Sequence, residues 1–109
     1  MMLTLADTIE ALTGSRPAAP TAITEASVDS RQAAAGSLFV AIPGDHVDGH
    51  DFVNEAFGRG ATFALIQRDV APTFRTVDLR PGSSPEARLD LAPPLCLRVD
   101  DSLAALQQI

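Results

Sequence analysis

The sequence predicts a small single α/β domain in which a mixed sheet is flanked by helices, and three observations favour this class. Short apolar runs typical of strands buried on both faces occur at 38–42 and 63–66. Between them, residues 52–57 carry apolar side chains at helical spacing, which completes a βαβ unit with an expected right-handed crossover. With 109 residues, 46% of them hydrophobic and 20% charged, the chain has the size and composition of one globular domain, 1–109.

The first predicted element is an amphipathic helix over residues 5–13. Leu5, Ile9 and Leu12 recur at i, i+4 and i+7 and therefore share one face. Thr4 precedes them as a helix-capping residue.

Strands are predicted where apolar and polar residues alternate or where apolar residues run without interruption. By these two patterns the strands lie at 23–28, 38–42, 63–66 and 95–99, and 76–79 is a candidate for a short edge strand.

Two more helices are predicted, one beginning after Asp51 and one after Asp101, because both residues can cap a helix. Since no helix-ending residue follows Ile109, we expect the chain to continue in a longer protein. The apolar faces are predicted as Phe52, Val53, Ala56 and Phe57 in the first of these helices, and Leu103, Leu106 and Ile109 in the second.

The segment 70–94 is predicted to be a loop excursion from the domain. Five of the eight prolines lie in 72–94, and no apolar periodicity persists there.

Composition excludes several functions. The eight basic residues are all Arg, so the chain has no Lys for a phosphate-binding loop or a Schiff base. The net charge of −6 argues against a broad surface for nucleic acid or anionic membranes. Cys96 is the only cysteine, and no apolar stretch approaches the roughly 18 residues of a membrane span. We therefore expect a cytoplasmic domain.

A polar cluster occupies the loop 44–51. His46 and His50 have the i, i+4 spacing of a metal-binding pair, but Gly49 between them argues against the helix that this pair requires. A calcium loop fails as well, because Gly44 and His46 fall where carboxylates are needed. We therefore predict no metal site among the acids and histidines of this loop, which are Asp45, His46, Asp48, His50 and Asp51.

Two interpretations of this loop remain. It follows a buried strand, and open α/β sheets place their ligands at such strand ends. Gly44 and Gly49 would let backbone amides approach a small molecule, while Asp48 and His46 would offer an acceptor and a donor. The alternative is a structural turn in which Asp48 accepts from neighbouring amides and His50 caps or packs on the next helix.

The triplet Asp29-Ser30-Arg31 is the second candidate site. A guanidinium beside a hydroxyl at a strand end suits a phosphate or carboxylate, but Arg31 could equally pair with Asp29 or Asp48 to hold loops together. No nucleophile with a matched base is evident, and Cys96 lies in an apolar strand. We therefore predict a binding domain without catalytic residues.

Four segments are notable for their order and spacing: Val28-Asp29-Ser30-Arg31, 36–44, 47–52 and Arg59-Gly60-Ala61. Taken together they resemble the N-terminal domain of the Mur ligases, the ATP-dependent enzymes that extend the peptide of the bacterial cell-wall precursor. Residues 48–52 (Asp-Gly-His-Asp-Phe) and 99–107 most resemble the MurF branch, which adds D-alanyl-D-alanine; the MurE branch, which adds the third amino acid, is the close alternative. The resemblance covers the chain except 70–94.

This resemblance implies the first domain of a three-domain ligase, which binds UDP-N-acetylmuramoyl-peptide. ATP and magnesium would be held by the central domain, so no cofactor is expected in this chain, and the central and C-terminal domains are its expected partners. A free-standing, noncatalytic domain that binds UDP-sugars or mediates protein contacts is the alternative from another class. Carried over by position, the substrate-binding residues are Ser30, Arg31, Gly44, Asp45, His46, Val47, Asp48 and Gly49.

Overall fold

Strands and helices alternate along the chain in the computed structural model, which describes residues 3–14, 21–70, 74–81 and 92–109. In order, the elements are β1 (Leu3–Thr4), α1 (Leu5–Thr13), β2 (Ala22–Ile23), β3 (Ala26–Ser27), β4 (Leu38–Val40), α2 (Val53–Gly58), β5 (Phe63–Ile66), β6 (Thr76–Asp78), β7 (Leu95–Arg98) and α3 (Ser102–Gln108). A short 3₁₀ helix at Ser30–Gln32 follows β3, and another at Gly49–Phe52 leads directly into α2.

The main sheet has five strands in the order β3-β4-β5-β7-β6, and every neighbouring pair is parallel. The predicted α/β class is confirmed, as are the buried strands on either side of α2. The prediction of one mixed sheet is wrong in one respect. The main sheet is entirely parallel, and the antiparallel strands β1 and β2 form a separate two-stranded sheet.

Side chains that alternate along the central strands build a core on each face of the main sheet. Leu38 and Val40 pack on one face, among residues of α1 and α3. Phe39 lies on the opposite face with Val53 and Ala56 of α2. This two-sided burial explains the uninterrupted apolar runs, since both faces of a central parallel strand are covered.

The predicted helix 5–13 is confirmed with the same bounds. The Thr4 hydroxyl accepts a hydrogen bond from the Asp7 amide (3.1 Å), and the Asp7 carboxylate accepts one from the Thr4 amide (3.0 Å). Gly14 ends the helix with a φ of +79°, a conformation that favours glycine.

The predicted strand 23–28 is interrupted. Its first part is β2, which pairs with β1, whereas β3 pairs with β4 in the other sheet. The alternation of apolar and polar residues indicates extended backbone, which is present in both segments. It does not indicate that β2 and β3, only two residues apart, pair with strands of different sheets.

The predicted start of α2, just after Asp51, is correct to within one residue, but the predicted cap is wrong. Asp48, not Asp51, caps the turn that leads into the helix, because its carboxylate accepts from the His50 amide at 2.9 Å. Val53 and Ala56 are buried as expected, but Phe52 precedes the helix and is exposed.

Asp101 caps α3 as predicted, since its carboxylate accepts from the Ala104 amide at 3.1 Å. The buried face is different from the predicted one. Ser102 and Ala105 are buried, while Leu103 is 49% exposed. Leu106 and Ile109 pack against the core from its margin, as expected.

Both edge strands of the main sheet end in the same side-chain arrangement, an Asp followed two residues later by an Arg. The Asp29 carboxylate accepts from the amide and guanidinium of Arg31, and the Asp78 carboxylate does so from Arg80, at 2.8–3.1 Å. We call these two pairs the edge clamps.

The candidate edge strand at 76–79 is present as β6, and most of the remaining Pro-rich segment lies outside the described residues. The helices of the described residues are too short or too polar to cross a membrane.

Candidate functional site

A cavity of about 510 Å³ opens to solvent at the carboxyl ends of β3 and β4. The 3₁₀ helix Ser30–Gln32 forms one wall, and the other is formed by the loop after β4 and the turn that leads into α2. This position, beyond the carboxyl ends of parallel strands, is where open α/β sheets bind ligands.

Exposed apolar side chains surround the mouth of the cavity. Val28, Val47 and Phe52 are 54%, 65% and 39% exposed, and all three line it. Among the described residues the fourth large apolar side chain that is exposed is Leu103, on α3. Because exposed apolar groups gathered at a concave site favour ligand binding, this concentration marks the cavity as a candidate site.

Ser30 and Glu55 form the first polar group of the cavity. The buried Ser30 hydroxyl donates a hydrogen bond to Glu55 Oε2 at 2.5 Å, which links the end of β3 to α2. The other oxygen of Glu55 lies 3.8 Å from an Arg59 nitrogen one helical turn later.

Asp29 and Arg31, one of the edge clamps, form the second polar group. Hydrogen bonds from the Arg31 side chain, and then from its amide, lower the pKa of Asp29, and the same pairing raises the pKa of Arg31. The Arg31 side chain is 79% exposed, so its charge lies at the mouth rather than in the interior. One of the two pairings anticipated for Arg31, with Asp29, is therefore present.

His50 is fully buried behind the loop, where both of its ring nitrogens have partners. Its Nε2 lies 3.0 Å from the Gln67 amide, which can only donate, so Nε2 accepts and Nδ1 carries the proton. Nδ1 in turn donates to Asp48 Oδ1 at 2.7 Å. These two hydrogen bonds join the loop to the end of β5, and we call this arrangement the Asp48–His50 bridge.

Arg68 completes the network around Asp48. Its Nε and Nη2 donate to Asp48 Oδ2 at 3.1 and 3.0 Å, and Nη2 also reaches Asp51 at 3.3 Å. Burial by itself raises the pKa of Asp48, but hydrogen bonds from the His50 amide, the His50 ring and Arg68 outweigh it and lower that pKa to about 2. Both oxygens of Asp48 are therefore engaged within the protein.

A profile of the Mur ligase family, described as its catalytic domain, matches residues 22–109. The chain belongs to the Mur ligase family. It is 46% identical over 58 residues to the UDP-N-acetylmuramoyl-L-alanyl-D-glutamate–2,6-diaminopimelate ligase of Bacillus licheniformis, an alignment that covers 53% of this chain and 12% of that protein. It is 35% identical over 85 residues to the UDP-N-acetylmuramoyl-tripeptide–D-alanyl-D-alanine ligase of Treponema pallidum, covering 76% and 16%.

Solved Mur ligase structures are similar as well. The UDP-N-acetylmuramoylalanyl-D-glutamyl-2,6-diaminopimelate–D-alanyl-D-alanyl ligase of Acinetobacter baumannii superposes with a TM-score of 0.61 at 25% identity, over 94% of this chain and 20% of that one. The predicted family is thus confirmed, with relatives of both the MurE and MurF branches. The chain spans less than a fifth of the length of the two relatives named above.

Four of the eight residues predicted as substrate-binding in this Mur ligase domain line the cavity, namely Ser30, Arg31, Val47 and Gly49. Gly49 lies against the backbone that follows β4: its amide donates to Ile42 O at 2.9 Å, and a Cβ there would lie 2.7 Å from Ile42 N.

The other four predicted residues are not among the lining residues, and they are Gly44, Asp45, His46 and Asp48. Asp45 and His46 are exposed, and no side-chain hydrogen bond joins them to the rest of the described chain. Gly44 lies so close to the Val47 carbonyl that a Cβ would overlap it.

Sequence reasoning missed the lining residues Val28, Phe39, Ile42, Phe52 and Glu55. Phe52 and Glu55 are three residues apart, a spacing that places residues of a helical turn on one side, but hydrophobicity alone predicts a core position for Phe52. Within the described ranges, no three His, Cys, Asp or Glu side chains are grouped so as to hold a metal ion.

Proposed function

We propose that this chain is the substrate-recognition domain of a MurF-type ligase, which adds D-alanyl-D-alanine to UDP-N-acetylmuramoyl-tripeptide in the cytoplasm of a bacterium. The cavity at the carboxyl ends of β3 and β4 would receive the nucleotide end of the substrate. The observation that carries nucleotide binding is the concentration of exposed apolar side chains around a cavity that also contains Ser30 and Arg31. The MurF branch is supported by the alignment of 76% of this chain with a D-alanyl-D-alanine ligase.

The cavity suits a nucleotide in two parts. Val28, Val47 and Phe52 offer apolar surface to a planar base. Arg31 offers its guanidinium at the mouth, where Nη1 has no hydrogen-bond partner among the described residues and suits a diphosphate oxygen. His46, exposed on the same loop, is proposed to reach the diphosphate too.

For the rest of the predicted loop, the geometry supports an indirect role in substrate binding. Asp48 holds the loop through the Asp48–His50 bridge, and Gly44 permits the tight turn that presents Val47. Asp45 remains a proposed contact for the parts of the substrate beyond the base.

Amide ligation is proposed to require the remainder of the ligase. The chain contains no Lys for a phosphate-binding loop, so ATP and magnesium would be held by a central domain, which would activate the substrate carboxylate. This chain would bind and orient the UDP end, with the central and C-terminal domains as its partners.

Titration of the ¹⁵N-labelled chain with UDP and with UDP-N-acetylmuramoyl-tripeptide tests the proposal. We expect amide shifts at Ser30, at residues 44–50 and at Phe52. Phe52→Ala should weaken binding, whereas Leu103→Ala, which removes another exposed apolar side chain away from the cavity, should not. The absence of shifts at millimolar ligand would contradict the proposal.

The MurE branch is the second candidate, favoured by the 46% identity to a diaminopimelate ligase. An assay of the full-length ligase with D-alanyl-D-alanine and with diaminopimelate as competing acceptors distinguishes the two branches. A free-standing binding domain is tested by the reading frame after Ile109. A Gly-rich loop ending in Lys-Thr or Lys-Ser there supports a ligase, and a stop codon supports the free-standing domain.

A further inference from the structure

We infer that Glu55, acting through Ser30, makes the cavity selective for a ligand group that donates a hydrogen bond. In a nucleotide such a donor is a base N–H or a ribose hydroxyl. This inference rests on the proposed function and assigns Glu55 the role of a positioning residue that determines specificity.

The first step concerns the direction of one hydrogen bond. A carboxylate only accepts hydrogen bonds, so in the 2.5 Å contact between the Ser30 hydroxyl and Glu55 Oε2 the proton of Ser30 points at Glu55. The hydroxyl then has only its lone pairs to offer a ligand. The short contact with the carboxylate holds the hydroxyl in this orientation.

The second step concerns the charges that line or flank the cavity. Asp29 already accepts three hydrogen bonds from Arg31, and the exposed Arg31 lies at the mouth. Arg59 lies 3.8 Å from Glu55 and is half exposed. A phosphate placed beside Ser30 would therefore meet the Glu55 carboxylate, whereas a phosphate at the mouth would meet Arg31. The interior consequently favours the nucleoside.

The third step concerns the size of the effect. A nucleoside that donates to the Ser30 oxygen replaces water with a hydrogen bond of the correct polarity. An analogue that lacks this donor leaves a buried acceptor without a partner, which weakens binding by about tenfold or more.

The experiment compares the affinities of UDP, 3-methyl-UDP and 2′-deoxy-UDP for the chain by isothermal titration. The two analogues each lack one donor, the base N–H or the 2′-hydroxyl. For the wild-type chain we expect at least one analogue to bind about tenfold more weakly than UDP.

In Glu55→Gln this discrimination should fall to about threefold or less, because the Gln amide can donate to Ser30 and release its hydroxyl to donate outward. Glu25→Gln makes the same chemical change at an exposed position outside the lining and should retain the wild-type ratio. Circular dichroism checks that both variants are folded.

The outcomes separate the inference from the proposed function. If UDP binds and both analogues bind equally well, or if Glu55→Gln keeps the full discrimination, the inference is wrong while the proposed function stands. If UDP does not bind the wild-type chain, both are wrong. Should Glu55→Gln fail to fold, Ser30→Ala replaces it: loss of discrimination supports the inference, and unchanged discrimination overturns it. The analogue that is discriminated identifies the donor as base or ribose.

Discussion

His50 is a buried imidazole whose two nitrogens are both used by the protein. Nδ1 donates to Asp48 and Nε2 accepts from the Gln67 amide, so neither lone pair nor proton is left for a metal or a ligand. The i, i+4 spacing of His46 and His50 therefore has no functional meaning here. His46 is exposed on the loop, whereas His50 lies beneath it.

Substitution of His50 by Ala should lower the free energy of unfolding by roughly 2–4 kcal/mol. The change leaves the half-buried Gln67 amide without its partner, removes the hydrogen bond from the ring to Asp48 Oδ1 and creates a cavity. Urea unfolding followed by far-ultraviolet circular dichroism measures the effect. His46→Ala is the matched control, with an expected change within about 0.5 kcal/mol. Equal effects of the two changes would contradict the structural role of His50.

The lowered pKa of Asp48 predicts that the chain loses stability in acid. Its pKa is about 2 in the folded chain against an ordinary value of 3.8, so the folded state binds this proton more weakly than the unfolded state. The stabilisation is present above pH 4 and is lost as the pH falls from 4 towards 2. Unfolding in urea between pH 5 and pH 2 should therefore show a flatter pH dependence for Asp48→Asn than for the wild type. Identical slopes would show that the hydrogen bonds of Asp48 do not shift its titration.

Some site residues could be predicted from sequence, and others required the structure. Ser30 and Arg31 follow closely after the predicted strand 23–28, and Gly49 lies in the polar, glycine-containing loop after the strand 38–42. Glu55 lies inside a helix, where a carboxylate is ordinarily a solvated surface group. Its role follows only from the contact with Ser30, 25 residues earlier. No local pattern encodes such a contact.

At the scale of elements, the residues at which a helix or strand begins and ends are easier to predict than the side of a helix that is buried. The bounds of α1, the strand at 63–66 and the cap of α3 follow from local chemistry and are confirmed. The face of α3 was predicted from hydrophobicity alone, which placed Leu103 inside. The short helix instead buries Ser102 and Ala105, because small residues allow it to pack closely against the sheet.

This geometry predicts unequal effects on the two sides of α3. Ala105→Glu should destabilise the chain by about 3 kcal/mol or more, because it places an unpaired carboxylate in the core. Leu103→Gln should change the free energy of unfolding by less than about 0.5 kcal/mol. Thermal and urea unfolding of both variants provide the measurement. A larger loss of unfolding free energy for Leu103→Gln than for Ala105→Glu would show that Leu103 lies on the buried side, as hydrophobicity predicts.

At the scale of the whole molecule, the sheet has a separate core on each face. Which strands share a sheet could not be read from the sequence, since β2 and β3 are two residues apart and yet pair with different sheets. The class, by contrast, was predictable, because two-sided burial leaves the uninterrupted apolar runs seen at β4 and β5.

Cys96 offers a probe of global opening. It lies in β7, between β5 and β6, and burial raises the pKa of its thiol to about 11. Labelling by iodoacetamide at pH 8 should therefore be slower than in the urea-unfolded chain by about a thousandfold or more, as expected for a group exposed only by global unfolding. Rapid labelling of the folded chain would show that β7 is exposed by local opening.

The edge clamps also bear on self-association. A long, flat edge strand offers unpaired amides and carbonyls to another chain. Here the edge strands have only two and three residues. The Asp of each clamp lies two residues after β3 or at the last position of β6, and its carboxylate accepts from the backbone amide two residues later. An incoming strand would find too few free groups in line to extend the sheet at either side. Within the described residues, these two edges of the main sheet therefore disfavour aggregation by strand addition.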